Sequence, residues 1–334
     1  MNIVIATGIY PPEIGGPSEY ARRLFETLLI QDHHVLVSTY GRLKRFPTGI
    51  RHIAYFVQLC IDAWEADYII VLDTFSAALP AVLCAQLFGK KIVTRIGGDF
   101  LWESYAQRTH ESVLLSRFYQ VPRKFTLKEK IVFRLTRWTL RRSNAIVFST
   151  DWQRQIWMKP YEVDAHRTYI IENYYPEYKE AEKDLSDSRV FLSPSRDIFI
   201  KNKHRVKEAF QRVWNRHPDI SLDTKIVSHE VLMEKIPRAH AVIVASLSEV
   251  SPNLALDSIQ YGVPVILTRD TGLAEKLEPN ALFVDPLSVD SIEDAIESTL
   301  DPEKYKEYSN QAGQSAPHSW NEIAQEFTDI LDSL

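Results

Sequence analysis

Residues 241–268 read AVIVASLSEVSPNLALDSIQYGVPVILT. The run Ala241 to Ala245 is apolar without alternation, the pattern of a strand covered on both faces. Ser251 suits an N-cap and Pro252 the first helical position, so a helix is expected to follow. Val263 to Leu267 then returns as a second apolar run. Strand, helix, strand is the unit of a parallel sheet. The same alternation extends outward. Upstream lie Phe191-Leu192 and a helical pattern over about Lys203 to Arg216. Earlier still, the runs Ile3 to Ala6, Val35 to Val37, Ile69 to Leu72, Ile92-Val93 and Ala145 to Phe148 alternate with helical segments. The class is α/β, with two Rossmann-like halves. Between them, Glu177 to Ser188 is polar and charged without apolar periodicity, as a linker is. At the end, Ile323, Phe327, Ile330 and Leu331 occupy one face of an amphipathic helix. The expected divisions are 1–176, a linker at 177–188, 189–318, and a terminal helix at 319–334.

Composition excludes several classes. With 45% hydrophobic and 25% charged residues the chain is neither disordered nor a polytopic membrane protein. Its 334 residues suffice for two cores. A net charge of −5 leaves no overall footprint for nucleic acid, so any basic site is local. The apolar stretch Tyr68 to Gly89 tempts a transmembrane reading, but Asp73-Thr74 splits it into a strand and a Pro80-led segment suited to a helix. Cys60 and Cys84 form no CxxC or Cys/His cluster, so neither a disulfide framework nor a zinc site is expected. The N-terminus opens directly on a strand pattern without a signal peptide's basic and apolar regions. A reducing, cytoplasmic location is the expectation.

Three loops could carry chemistry. The first, Gly8 to Pro17, follows the opening strand and contains Pro11-Pro12 and Gly15-Gly16. Ligands of open α/β sheets bind beyond the carboxyl ends of strands, and paired glycines permit close backbone approach; the alternative is a turn that needs glycine for geometry alone. The GxGxxG dinucleotide spacing is missing, which argues against a dehydrogenase. The second loop holds Ser195-Arg196 and Lys201. Its two cations suit a diphosphate, Arg as a planar fork and Lys as a point charge; a solvated loop is the alternative. The third is Ser248 to Asp257. A helix N-terminus just past a buried strand favours an anion. Glu249 beside it is electrostatically wrong unless it accepts hydrogen bonds from hydroxyls of the same ligand. A phosphorylated sugar supplies both groups. Otherwise Glu249 and Asp257 are surface charges flanking a helix.

With these residues in place, the chain resembles the family 4 retaining glycosyltransferases over nearly its whole length. That family opens with a strand and a Pro-Pro, Gly-Gly loop, has a Gly-Arg with a Lys five residues later, and carries a Glu, seven residues, a Glu, then Gly-x-Pro. Here these are Pro11-Pro12 and Gly15-Gly16; Ser195-Arg196 and Lys201; and Glu249, Asp257 and Gly262-Val263-Pro264. Asp257 is one methylene shorter than the family's Glu, and Ser195 replaces a Gly. Between the helix ending near Arg216 and the strand at Ala241, only Asp219 to Val227 has strand character, short of the family's extra strand and helix. The resemblance implies a GT-B fold, two Rossmann-like domains facing a central cleft, with the second domain shortened. The terminal helix with Ser319-Trp320 crosses back to the first. It further implies a first domain for the acceptor and a second for a nucleotide sugar. Arg196 and Lys201 would bind the donor diphosphate, Glu249 the transferred sugar and Asp257 the ribose, with Gly15, Gly16, Pro252, Asn253 and Leu254 also at the donor. Where the family often has an acceptor-loop His, this chain reads Arg95-Ile96-Gly97-Gly98-Asp99-Phe100-Leu101-Trp102-Glu103. Asp99 is either its counterpart or a turn residue after Gly-Gly.

The expected function is retaining transfer of a sugar from a nucleotide-sugar donor to an acceptor hydroxyl on a glycan or lipid-linked molecule. Arg196, Lys201 and the helix start at Pro252 to Leu254 would stabilise the departing diphosphate. No metal or other cofactor is expected, since the sequence contains no Asp-x-Asp triplet. The alternatives are a nucleotide-sugar epimerase or phosphorylase on the same scaffold, or a donor-binding pseudoenzyme. Finally, Arg117 to Arg142 holds nine basic residues against Glu129 alone, a local net charge of +8. Lys130, Arg134, Arg137 and Arg141 share one helical face beside the stripe Leu127, Ile131, Leu135 and Trp138. Such a helix suits the anionic inner face of a membrane; its alternative is an apolar stripe packed on the core with a solvated basic face.

Overall fold

The computed structural model describes residues 1–13, 15–43, 45–179, 189–278, 280–310 and 317–334. In chain order its elements begin β1 (Asn2–Thr7), α1 (Gly16–Ile30), β2 (His34–Thr39), α2 (Thr48–Asp62), β3 (Tyr68–Val71), α3 (Ala78–Phe88), β4 (Lys91–Ile96), α4 (Phe100–Thr109), α5 (Leu115–Phe118), α6 (Leu127–Arg142), β5 (Ala145–Phe148), α7 (Asp151–Tyr161) and β6 (Thr168–Ile170). They continue β7 (Arg189–Leu192), α8 (Lys203–Trp214), β8 (Ile220–Asp223), α9 (His229–Lys235), β9 (Ala241–Val244), α10 (Asn253–Ile259), β10 (Val265–Thr268), α11 (Ala274–Leu277), β11 (Ala281–Val284), α12 (Val289–Leu300), α13 (Pro302–Asn310) and α14 (Trp320–Asp332). Most of the expected linker, residues 180–188, lies outside the described residues. No helix among the described residues is long and apolar enough to cross a membrane.

The chain divides into two compact units, one of residues 1–101, 123–174 and 318–334, the other of 102–122 and 175–317. In the first, six parallel strands run in the order β2-β1-β3-β4-β5-β6. The unbroken apolar runs serve both faces of this sheet. Ile3 and Ile5 point toward a core shared with α1 and α14, while Val4 and Ala6 point toward one shared with α2 and α3. The terminal helix α14 is therefore part of the first unit. It starts in a capping box, Ser319 with Glu322. It buries Ile323, Phe327 and Leu331 completely, each worth about 1.5 to 3 kcal/mol, and Trp320 meets Tyr20 of α1 edge-on at 5.1 Å.

The second unit has five parallel strands in the order β11-β10-β9-β7-β8. Phe191 and Ile243 face one core with α8 and α12, and Leu192 and Val242 face the other with α10. Two features differ from expectation. Besides the strand character near Asp219, the span before β9 also holds the helix α9, whose cap Ser228 accepts from the Val231 amide. The segment Trp102–Pro122, expected within 1–176, packs in the second unit. Polar bonds that no apolar pattern could reveal hold it there. The Leu115 amide donates to Ser248 Oγ at 2.8 Å, and the Arg205 guanidinium donates to Ser112 Oγ at 3.1 Å.

Candidate functional site

In the second sheet the strand order reverses between β7 and β9, which pair directly. The crevice beyond the carboxyl ends of such a pair is where open α/β sheets bind ligands. The loop leaving β7 is pinned there. Ser193 Oγ donates to the Ile243 carbonyl at 2.9 Å. Asn202, fully buried at φ 56°, donates from Nδ2 to the carbonyls of Ala245 and Pro286 at 2.9 and 2.7 Å. One side chain thereby ties the loop after β7 to those after β9 and β11. The Leu247 amide adds a bond to the Ile200 carbonyl at 2.8 Å.

This scaffold brings Lys201 and Glu249 together. Lys201 Nζ lies 2.5 Å from Glu249 Oε1, with both side chains mostly buried. The same oxygen accepts from Ser246 Oγ at 2.6 Å. The backbone of Glu249 is fixed on both sides, its amide to the Asp270 carbonyl and its carbonyl to the Gly272 amide, each at 3.0 Å. Arg196, by contrast, is two-thirds exposed, and its guanidinium stands 3.8 Å from Glu103 Oε2. Burial raises the Glu103 carboxyl above the usual range, Arg196 and Lys201 pull it back, and Glu249 raises it further. Four ionisable groups thus share one neighbourhood. Glu103 had no functional assignment from the sequence, because nothing in its spacing shows that its segment joins the second unit.

That segment also supports the cluster. Gln107 Oε1 accepts from the Phe199 amide at 2.7 Å, in the turn that carries Lys201. Ser116 and Ser248 both donate to the Asp270 carboxylate. A cavity of about 300 Å³ opens beside them, lined in part by Ser116, Arg117, Arg269 and Asp270.

The helix after β9 differs by one residue from expectation. Pro252, with extended backbone, is the cap; the helix starts at Asn253, and no side chain caps it. Asp257 projects from α10, and burial pushes its carboxyl up to about 6 against the opposing pull of His229. Gly262, at φ 64°, ends the turn after α10 where a Cβ would meet the Ser309 carbonyl at 3.2 Å.

The remaining sequence candidates lie in the first unit. Gly15 caps α1 at φ 155°, a conformation L side chains rarely adopt, and its carbonyl accepts from the amides of Ser18 and Glu19. Gly16 is the first residue of α1. Asp99 is 1% exposed in the loop between β4 and α4. The basic stretch Arg117 to Arg142 is divided. Arg117 belongs to the second unit, and the helix proper is Leu127–Arg142, opened by a capping box of Thr126 and Glu129. Its expected apolar stripe is split too: Trp138 packs on the core while Leu127 and Ile131 are exposed. On its basic face, Arg137 and Arg141 pair with Glu162.

Residues 224–317 match the model of the family described as glycosyl transferases group 1. No curated protein matches the chain. Among solved structures, the chain is similar to sucrose-phosphate synthase from Thermosynechococcus elongatus, at TM-score 0.77 and 14% identity, covering 100% of this chain and 99% of that one. It is also similar to Anabaena Alr3699/HepE in complex with UDP and glucose, at TM-score 0.73 and 14% identity over 100% of both chains. A third is WaaG, a glycosyltransferase involved in lipopolysaccharide biosynthesis, at TM-score 0.68 and 15% identity over 98% of this chain and 99% of that one. The fold is the α/β fold of the GT-B glycosyltransferases.

Proposed function

We propose that the chain is a glycosyltransferase that moves a sugar from a nucleotide-sugar donor to an acceptor hydroxyl with retention of configuration and without a metal. The observation that carries this reading is the Lys201–Glu249–Ser246 cluster at the β7/β9 switch point, whose Ser246 and Glu249 lie within the segment that matches glycosyl transferases group 1. Before the donor arrives, the ion pair holds both charged groups in place. A diphosphate draws Lys201 and the exposed Arg196, and leaves Glu249 to accept from sugar hydroxyls. The bond between the anomeric carbon and the diphosphate then breaks, its electron pair leaving on the diphosphate, while the acceptor oxygen bonds the anomeric carbon from the same face and its hydroxyl proton passes to the departing diphosphate. Arg196, Lys201 and the amides from Pro252 to Leu254 offset that charge. Asp257 takes the ribose, Gly15 and Gly16 approach the donor, and Asp99 takes the acceptor.

The acceptor is a glycan or lipid-linked molecule met at the anionic inner face of a membrane, where the basic side of α6 attaches the chain reversibly. Arg196→Ala and Lys201→Ala should each lower turnover at least tenfold with the fold intact, because each removes a charge-assisted bond to phosphate worth about 1.5 to 3 kcal/mol. Unchanged kinetics in both would overturn the donor site. Donor conversion without any acceptor would favour an epimerase, and donor binding without turnover a pseudoenzyme.

A further inference from the structure

The helix α2 is apolar on two opposite sides. Tyr55, Leu59 and Ala63 are fully buried against the first sheet. Ile50, Ile53, Val57 and Ile61 form a second stripe, which at about 100° per residue falls within an arc of about 80°, and Trp64 follows just past the helix end. These five side chains are 52% to 71% exposed. An apolar helix side is ordinarily buried against a neighbour or in lipid, yet among the described residues none covers this outer side.

Its neighbours continue the surface. Next to it is α3, where Phe88 meets Trp64 edge-on at 5.5 Å and Leu83 and Leu87 face outward. Beyond α3, the helix α6 adds the exposed Leu127 and Ile131. All three helices cover the same face of a parallel sheet, so they run parallel to one another and share an edge at their N-terminal ends. One helical layer therefore turns nine large apolar side chains outward, whereas soluble surfaces rarely gather so many in one place. The cations at that edge are uncompensated. Lys128, Lys130 and Arg134 are exposed with no ion-pair partner among the described residues, and the nearest acid, Glu129, is buried in its capping box. The acids of this layer, Asp62, Glu65 and Asp67, gather at the opposite end of α2.

We infer that the outer face of α2, α3 and α6 is a membrane-contacting surface that inserts the stripe Ile50 to Trp64 into an anionic leaflet, with the free cations of α6 on lipid phosphates. The inference rests on the membrane-surface part of the proposed function and adds the inserting element. An apolar stripe with Lys and Arg along its N-terminal edge fits a headgroup boundary, and its far end carries Trp64 next to Asp62, Glu65 and Asp67. A second copy of the chain would bring the same cations into one interface, where like charges oppose association.

The test is co-sedimentation of the full chain with anionic vesicles of phosphatidylglycerol and phosphatidylcholine, and with neutral vesicles of phosphatidylcholine alone, at about 0.1 M and about 1 M sodium chloride. Wild type should prefer anionic vesicles and keep measurable binding at high salt, because burial of apolar surface is not screened. Ile53→Ser/Ile61→Ser should weaken partitioning at least tenfold at either salt. Lys128→Gln/Arg134→Gln should lose the preference for anionic lipid and keep the salt-resistant part. As a separate readout, brominated lipid should quench a fluorescence component of the wild-type chain that Trp64→Phe removes. Wild-type binding that vanishes at high salt, with the serine variant sedimenting like wild type, would overturn insertion and leave electrostatic attachment through α6 standing. A lipid-free dimer that Ile53→Ser/Ile61→Ser dissociates would make this face a subunit interface and equally overturn the inference.

Discussion

At pH 5 a nucleotide-sugar donor should bind the wild-type chain about tenfold more weakly than at pH 7.5, and Asp257→Asn should abolish the difference. Burial pushes the Asp257 carboxyl up to about 6. Two ribose hydroxyls that both donate need the ionised carboxylate as their acceptor. One unit below its pKa the group is only about a tenth ionised, so the free energy of removing the proton, about 1.4 kcal/mol, is subtracted from binding. The sign follows from linkage. In the free chain, the folded state holds this proton more tightly than the unfolded one, so the group's contribution to stability falls as pH rises from the ordinary Asp range through about 6. A donor that hydrogen-bonds the anion reverses that preference and releases the proton. Titration calorimetry with an intact nucleotide sugar, in buffers of different ionisation enthalpy, measures both affinity and protons released. His229 pulls the carboxyl down, so His229→Gln should shift the midpoint upward. A flat wild-type profile, or one that persists unchanged in Asp257→Asn, would refute the assignment of Asp257 to the ribose.

Two further outcomes are expected. Glu249→Gln should lose more turnover than Asp257→Glu, because it weakens the acceptor shared by Lys201 and Ser246, while the second change keeps a carboxylate and only lengthens its stem; steady-state kinetics giving the reverse order would mean the two roles are exchanged. Activity should persist in excess EDTA, since leaving-group stabilisation is assigned to Arg196, Lys201 and backbone amides; complete loss restored by magnesium or manganese would contradict this.

Much of the architecture is legible in the chain before it folds. A strand buried on both faces must be apolar at every position, so runs such as Ile3 to Ala6 and Ala241 to Val244 announce parallel sheets without reference to any partner. Their alternation with helical periodicity gives the α/β class. Local chemistry likewise marks the loop positions of Arg196, Lys201 and Glu249 and the start of the helix that carries Asp257, because Gly, Pro and capping residues punctuate strand ends. Sequence spacing could not show that Trp102 to Pro122 joins the second unit, since the bonds from Leu115 to Ser248 and from Arg205 to Ser112 cross more than 90 positions. Nor could it assign Glu103, whose carboxyl is raised by the burial that this packing imposes and, to a lesser extent, by Glu249, against the opposing pull of Arg196 and Lys201. The double-sided apolarity of α2 belongs with these. Periodicity reveals an apolar stripe, but only the sheet beneath determines that Tyr55 and Leu59 are covered while Ile53 and Ile61 are left outside. Periodic patterning is a property of neighbours along the chain, whereas burial and electrostatics depend on which distant residues meet.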